Sequence, residues 1–274
     1  MVHASNVFVA AQAGPLPFDR ALLLVGYAIV IALASLAGGG LLRVVRLTHT
    51  RMQVMMSGVG GLMLGIALFQ LLPHAAEQAG SLDAAVYSLT AGLVFMFLLI
   101  RAFHFHAHDA AVDEPHEHPH GPGCSHSHEH DPGPTAHELS WVGVACGLAI
   151  HTLIDGVALG AAIEAAPSSA GWLAGLGTFA AIALHKPLDA LSISSVMTAA
   201  GRPPALRTAV NVAFALMCPF GAAVFLLGVR QLTETQHLIT GIALGFSAGA
   251  FLCIALGDLL PELEFHSHDR VKLS

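Results

Sequence analysis

His151 and Asp155, and again His185 and Asp189, stand four residues apart inside long apolar runs, Ala149-Ile-His-Thr-Leu-Ile-Asp-Gly156 and Ala183-Leu-His-Lys-Pro-Leu-Asp-Ala190. That spacing stacks both side chains of a pair on one helix face. A lone histidine in an apolar helix usually packs or hydrogen-bonds structurally, but two matching pairs in consecutive runs mark a functional site, because ionisable groups are costly in hydrocarbon. Each helix would offer one imidazole nitrogen and one carboxylate oxygen. Two of each suit a borderline cation such as Zn²⁺; carboxylates alone would favour Mg²⁺ or Ca²⁺, and thiolates would hold the ion too tightly for release.

Lys186, next to His185, constrains this site. An ammonium at such depth must pair and would repel a second cation, so one metal is expected, with Lys186 bridging to a carboxylate or standing in the place of a second ion. Pro187 removes a backbone donor and predicts a kink with a spare carbonyl at Ala183. Gly156 and Gly160, with Ser192, Ser194 and Ser195, are small enough to let the two paired helices approach closely.

The elements that must position these groups are membrane spans. Of 274 residues 55% are hydrophobic and 11% charged, against about 25% charged in a soluble domain. Seven apolar segments near the length of a spanning helix lie at 20–42, 53–73, 84–103, 139–164, 172–198, 206–229 and 238–261. The fold expected is an all-α polytopic membrane protein with seven apparent transmembrane helices in the lipid bilayer. Arg43, Arg46, Arg51, Arg101, Arg202, Arg207, Arg270 and Lys272 fall on one side, and only Arg20 and Arg230 on the other. The positive-inside rule then puts the N-terminus outside a cell membrane and the C-terminal tail in the cytoplasm. The net charge of -7 says little about partners, because 18 histidines leave the balance pH-dependent, but basic patches are absent, so no nucleic-acid partner is expected. Cys124, Cys146, Cys218 and Cys253 form no Cys-x-x-Cys pair, so no disulfide is inferred. The first residues lack a basic stretch before an apolar core, so no cleaved signal peptide is expected and insertion rests on the first span.

The domains expected are an extracytoplasmic N-terminus at 1–19, three spans in 20–103, a cytoplasmic loop at 104–137, four spans in 138–262 and a tail at 263–274. The loop holds ten histidines among acids, Gly and Pro. It cannot bury a core, so it is expected to be disordered without metal; His116, His118, His120, His126, His128 and His130 would capture metal weakly. A flexible loop fixes no geometry and so would not be the transport site. An internal echo joins Gly65-Ile-Ala-Leu-Phe-Gln-Leu-Leu-Pro73 to Cys253-Ile-Ala-Leu-Gly-Asp-Leu-Leu-Pro261, in spans of opposite direction. It suggests an inverted-repeat helical bundle, with Gln70 and Asp258 on a pathway between the halves.

The His-Thr-Leu-Ile-Asp-Gly-Val-Ala-Leu-Gly stretch from His151, the His-Lys-Pro-Leu-Asp stretch from His185, the His-rich loop and the late Gly-Phe-Ser-Ala-Gly-Ala-Phe with Asp-Leu-Leu-Pro-Glu-Leu together resemble the ZIP (Zrt/Irt-like) family of divalent metal transporters. The resemblance covers most of 20–270. It implies eight spans, a metal site between the fourth and fifth, uptake towards the cytoplasm and a homodimer. His151 and Asp155 match the family's fourth-span His and acid, and Thr152 stands where Asn is usual. His185 and Asp189 match the fifth-span ligand and acid, Lys186 stands where many members have a second-site acid or amide, and Pro187 falls one residue early. The first metal site is then intact and the second is not. An eighth span is not found before Ser274, so the last residues are expected to lead towards a missing helix.

The function expected is transport of a divalent transition metal, Zn²⁺ foremost, with Fe²⁺, Mn²⁺, Co²⁺, Ni²⁺ and Cd²⁺ as further candidates, through a single site by alternating access. A cation-diffusion-type zinc exporter also uses His/Asp pairs and a His-rich loop, but calls for six spans and a soluble C-terminal domain. An intramembrane zinc hydrolase needs a general base and an open ligand position, and no His-Glu-x-x-His occurs. A seven-span photoreceptor with Lys186 as Schiff base is disfavoured by the two Trp and two Tyr.

Overall fold

A computed structural model describes residues 17–41, 49–104 and 134–259, which form helices joined by short connections, with no strand among them. Helix α1 spans Phe18–Leu41, and α2, His49–Ile66, runs through a π-helical turn, Ala67–Leu71, into α3, Leu72–Ala79. Then follow α4 (Leu82–His104), α5 (Pro134–Ala165), a 3₁₀ turn (Ser168–Leu173), α6 (Leu176–Ala199), α7 (Pro204–Val229), α8 (Gln236–Ile254) and a second π turn, Ala255–Leu259. With α2 and α3 taken as one rod, the seven rods coincide with the seven apolar segments. Six of them are long and apolar enough to cross a membrane. The seventh, α6, has 24 residues, about 36 Å at helical rise, and is made less apolar by the His, Lys, Asp and Ser residues at its centre. The protein is an all-α polytopic membrane protein.

Chain reversals are set by local chemistry. Gly80 adopts φ 66° between α3 and α4, a left-handed conformation that costs glycine little. Ser81 Oγ then accepts the Ala84 N–H at 3.3 Å, and Asp83 adds negative charge to the first turn of α4.

Helix α8 is the centre of the bundle, 67% buried over its spanning window against 22% for α1 and for α4. The cause is legible in its sequence. Gly241, Gly245 and Gly249 recur every fourth residue, and a Cβ on any of them would run into α3 or α4: Ala79 and Ala75 at Gly241, Ser88 and Ala85 at Gly245, Leu89 and Leu93 at Gly249. Gly92 of α4 returns the contact against the Phe246 backbone. In lipid, where hydrocarbon outside is as apolar as the interface, such close backbone approach is what holds helices together.

Gly156 and Gly160 do the same on α5, but for a different neighbour than expected. They face α7, where the backbone of Cys218, Gly221 and Ala222 fills the space a Cβ would take at Gly156, and Ala222 and Phe225 lie against Gly160. The expectation that they bring α5 and α6 together is therefore corrected. Helix α6 is instead held by α1: Tyr27 stacks on Phe179 with ring centroids 4.1 Å apart and donates to the Trp172 carbonyl at 3.2 Å, and Gly38 packs on the backbone of Pro187. Pro187 lies inside a helix that runs unbroken from Leu176 to Ala199.

Arg20 and Arg230, the two cations that stood apart in the charge count, both serve the end of α5. Arg20 donates to the carbonyls of Ile163 (3.0 Å) and Ala166 (2.7 Å), and Arg230 holds Glu164 through Nε at 3.1 Å and Nη2 at 2.9 Å. Gln236 donates to the same carboxylate at 2.6 Å. Cations at a helix C-terminus satisfy its orphan carbonyls and oppose its negative dipole end.

The internal echo has a structural counterpart. Both copies of Ala-Leu-x-polar-Leu form π-helical turns, at Ala67–Leu71 and Ala255–Leu259, and each turn precedes a proline by the same distance in sequence. Proline has no N–H for the preceding turn, which relaxes the regular bonding there. The first π turn packs against α8 and the second against α2, the reciprocal contact that two halves related by a two-fold axis would make.

Candidate metal centre

His151, Asp155, His185 and Asp189 converge between α5 and α6, each offering one donor atom, with these atoms all within 4.8 Å of one another. The helices are antiparallel, so His151 lies level with Asp189 and Asp155 with His185. Both imidazoles turn Nε2 inward. His185 Nε2 is 3.3 Å from Asp155 Oδ2 and 3.7 Å from Asp189 Oδ2; His151 Nε2 is 3.4 Å and 3.7 Å from the same two oxygens. Bonds of about 2.0–2.2 Å to a tetrahedral zinc place neighbouring donors about 3.3–3.5 Å apart. The four His–Asp donor pairs, at 3.3–3.7 Å, lie close to that spacing.

The hydrogen bonds around it make it ready for a cation. His185 Nδ1 lies 2.8 Å from the Ala181 carbonyl, which only accepts, so Nδ1 carries a proton and Nε2 is the ring atom turned towards the carboxylates, 3.3 Å from Asp155 Oδ2. His151 is buried with no hydrogen-bond partner on either ring nitrogen, and Asp155 Oδ1 has none. Unpartnered buried polar atoms at one point are rare in folded chains and call for a ligand.

Lys186 supplies part of the missing positive charge. Its Nζ donates to Asp155 Oδ2, to Asp189 Oδ2 at 3.0 Å and to Thr152 Oγ1 at 2.9 Å. The lysine is fully buried, which disposes of a snorkelling side chain, and of the two expected arrangements the bridge to carboxylates is present. Thr152 touches the ammonium rather than facing the four donors. Ser192 and Ser195 bond back to the carbonyls of Leu188 and Leu191, one turn earlier on their own helix.

Two aromatic walls were not foreseen. Phe251 of α8 meets the His185 ring edge-on with centroids 6.3 Å apart, and Phe214 of α7 places its ring centroid 5.4 Å from Lys186 Nζ. Phe214 belongs to an ordinary apolar run and Phe251 closes the Gly-Phe-Ser-Ala-Gly-Ala-Phe stretch, and only tertiary packing brings them here. Gln70 lies elsewhere: with His74 it lines a cavity of about 120 Å³ under the α5–α6 connection, among Leu71, Ala162, Ala166 and Leu244. None of the four cluster residues lines that cavity. Asp258 is in the second π turn, with its side chain outside the described residues, as are His116, His118, His120, His126, His128 and His130.

Comparison with known proteins gives this geometry its context. The family model described as ZIP Zinc transporter matches residues 21–274. Zinc transporter ZIP9 of Micropogonias undulatus is 35% identical over 201 residues, 71% of this chain and 56% of that protein. Zinc transporter ZIP9-B of Xenopus laevis is 31% identical over 186 residues, 66% of this chain and 54% of that protein. Mouse Zinc transporter ZIP10 is 32% identical over 126 residues, 46% of this chain but 14% of its own length. The chain thus spans about half the length of the ZIP9 relatives. A match across nearly all of the chain, together with a buried His/Asp cluster in an all-helical membrane fold, establishes that the chain belongs to the ZIP zinc transporter family, a family of transporters and not of enzymes.

Proposed function

We propose that this protein carries a divalent transition metal, zinc foremost, into the cytoplasm through the single site formed by His151, Asp155, His185 and Asp189. The observation that carries the reading is the convergence of two imidazole nitrogens and two carboxylate oxygens within 4.8 Å of one another, with neither ring nitrogen of the buried His151 hydrogen-bonded. Two neutral imidazoles and two carboxylates bind a borderline dication without the grip of thiolates, as a carrier that must release its cargo requires. The ligand set also admits Fe²⁺, Mn²⁺, Co²⁺, Ni²⁺ and Cd²⁺. One ion is carried at a time, because the ammonium of Lys186 occupies the ground beside the first.

Taking the N-terminus as outside, the α5–α6 connection and its cavity face outwards, so Gln70 stands at the outer approach to the site. The cavity stops at Leu71, Ala162 and Leu244, short of the cluster. Asp155 is fully buried while the Asp189 side chain keeps 18% exposure, so the remaining access lies at the level of His151 and Asp189, one turn nearer the cytoplasmic end. This is the arrangement of a carrier closed to the outside, and the reciprocally packed π turns support alternating access between two inverted halves. The same reading places the protein in the cell membrane as a homodimer, with the His-rich 104–137 segment collecting metal on the cytoplasmic side. Residues 1–19 lie outside, and 263–274 in the cytoplasm.

The test is zinc uptake into vesicles containing the purified protein, with His151→Ala and Asp189→Ala compared at equal expression. Both variants lose uptake; transport equal to the parent in both would overturn the assignment of the site.

A further inference from the structure

Lys186 does more than exclude a second ion. The oxygen of Asp155 that it contacts is Oδ2, the atom that both histidines face, and its Asp189 partner is again the Oδ2 atom that both histidines face. Ammonium and zinc would therefore contend for the same lone pairs. Two like charges cannot share those oxygens at bonding distance in a buried setting where water does not screen them. On its other side the ammonium already touches Thr152 Oγ1 and faces the ring of Phe214, a surface that attracts cations.

We propose that Lys186 is a tethered counter-cation that exchanges with the transported metal: it neutralises Asp155 and Asp189 in the empty carrier and withdraws to Thr152 and Phe214 when zinc arrives. The idea rests on the four-residue site being the zinc site. No proton moves in the exchange; the ammonium is a cation in both positions. Two consequences follow for transport. Zinc binds more weakly than the four ligands alone would allow, since it must displace a resident cation. The empty carrier turns back without two uncompensated carboxylates at mid-membrane, where such charges are costly. Returning lysine also favours release, so the residue sets the exchange rate as well as the affinity.

Zinc-dependent thermal melting of the full-length protein tests this, because a ligand raises stability in proportion to its affinity for the folded state. Lys186→Met is compared with the parent, with Lys186→Arg, and with His185→Ala as the background from every other zinc site. Lys186→Met melts lower than the parent without zinc, and its half-saturating zinc concentration is at least tenfold lower. Lys186→Arg stays within threefold of the parent, and His185→Ala gives no shift beyond buffer controls. Equal or weaker zinc affinity in Lys186→Met, with His185→Ala flat, overturns the counter-cation while leaving the zinc site standing. A parent-like zinc shift in His185→Ala overturns the site itself, and this proposal with it. Should Lys186→Met not fold, the structure of the zinc-loaded parent decides: Nζ lies more than about 4 Å from both carboxylates, and Nζ still bonded to either beside bound zinc overturns the exchange.

Discussion

The two acids of the cluster are not equivalent, although the sequence presents them identically. Asp155 is sealed from solvent and lies nearer to both histidines, whereas Asp189 is partly exposed and stands 3.7 Å from each. Replacing Asp155 by Asn should therefore abolish zinc uptake, while Asp189→Asn should leave a measurable remainder; an uptake series on the two variants at matched expression checks the order. Asp155→Asn also removes the closest partner of Lys186. Losing one member of a buried pair costs about 3–5 kcal/mol when the other is left alone, and less here because Asp189 and Thr152 still hold the ammonium, so a lowered melting point with a folded protein is expected. The four candidate donors could be picked out in the sequence because donors that share one helix face recur with a four-residue period, and that period is present in the chain. The direction of His151's packing, the Ala181 carbonyl that orients His185 and the two phenylalanine walls were not, because nothing in an apolar run states which neighbouring helix it will meet.

At the level of elements, the seven rods could be read from hydrophobic length alone, since each must satisfy its own backbone in lipid. Partner choice could not. The glycine spacing at Gly156 and Gly160 announces a close contact but not its other half, and α7 rather than α6 turned out to supply it. The α8 glycines give a sharp test of this packing logic. Gly249 has the backbone of Leu89 and Leu93 where a side chain would go, and Gly26 of α1 has nothing within 4 Å. Gly249→Val should cost at least the roughly 1–3 kcal/mol of an overpacked core, seen as a lower melting point in detergent and poor yield. Gly26→Ala should be neutral or stabilise by up to about 1 kcal/mol, the helix-propensity difference. Equal behaviour of the two variants would remove close backbone approach as the cause of α8's central place.

Across the whole molecule, one asymmetry bears on the proposed transport: the cavity under the α5–α6 connection ends short of the cluster, and the remaining exposure, at Asp189, lies on the other side of it. A carrier must at some point reverse this, and the floor residue Ala162 on α5 then gains contact with the outer solution while the exposed connection beside it does not change. With Cys124 and Cys146 replaced by serine and the buried Cys218 and Cys253 retained, cysteines introduced one at a time report that reversal through a membrane-impermeant thiol reagent, read against the same background without an added cysteine. Ser169→Cys, in the exposed α5–α6 connection, should label from outside at a rate indifferent to zinc. Ala205→Cys, exposed at the start of α7, should label only once the cytoplasmic face is opened. Ala162→Cys should label slowly from outside, at a rate that changes at least threefold when zinc saturates the cluster, and His185→Ala in the same background should abolish the change. Labelling of Ser169→Cys from the cytoplasmic face would reverse the orientation, and a zinc-indifferent Ala162→Cys in an otherwise transporting protein would rule out opening through the cavity under α5 and α6. On the proposed alternating-access reading, the reciprocal packing of the two π turns on α8 and α2 predicts that a shift of α2 against α8 acts on both turns, so labelling that rises from one side should fall from the other.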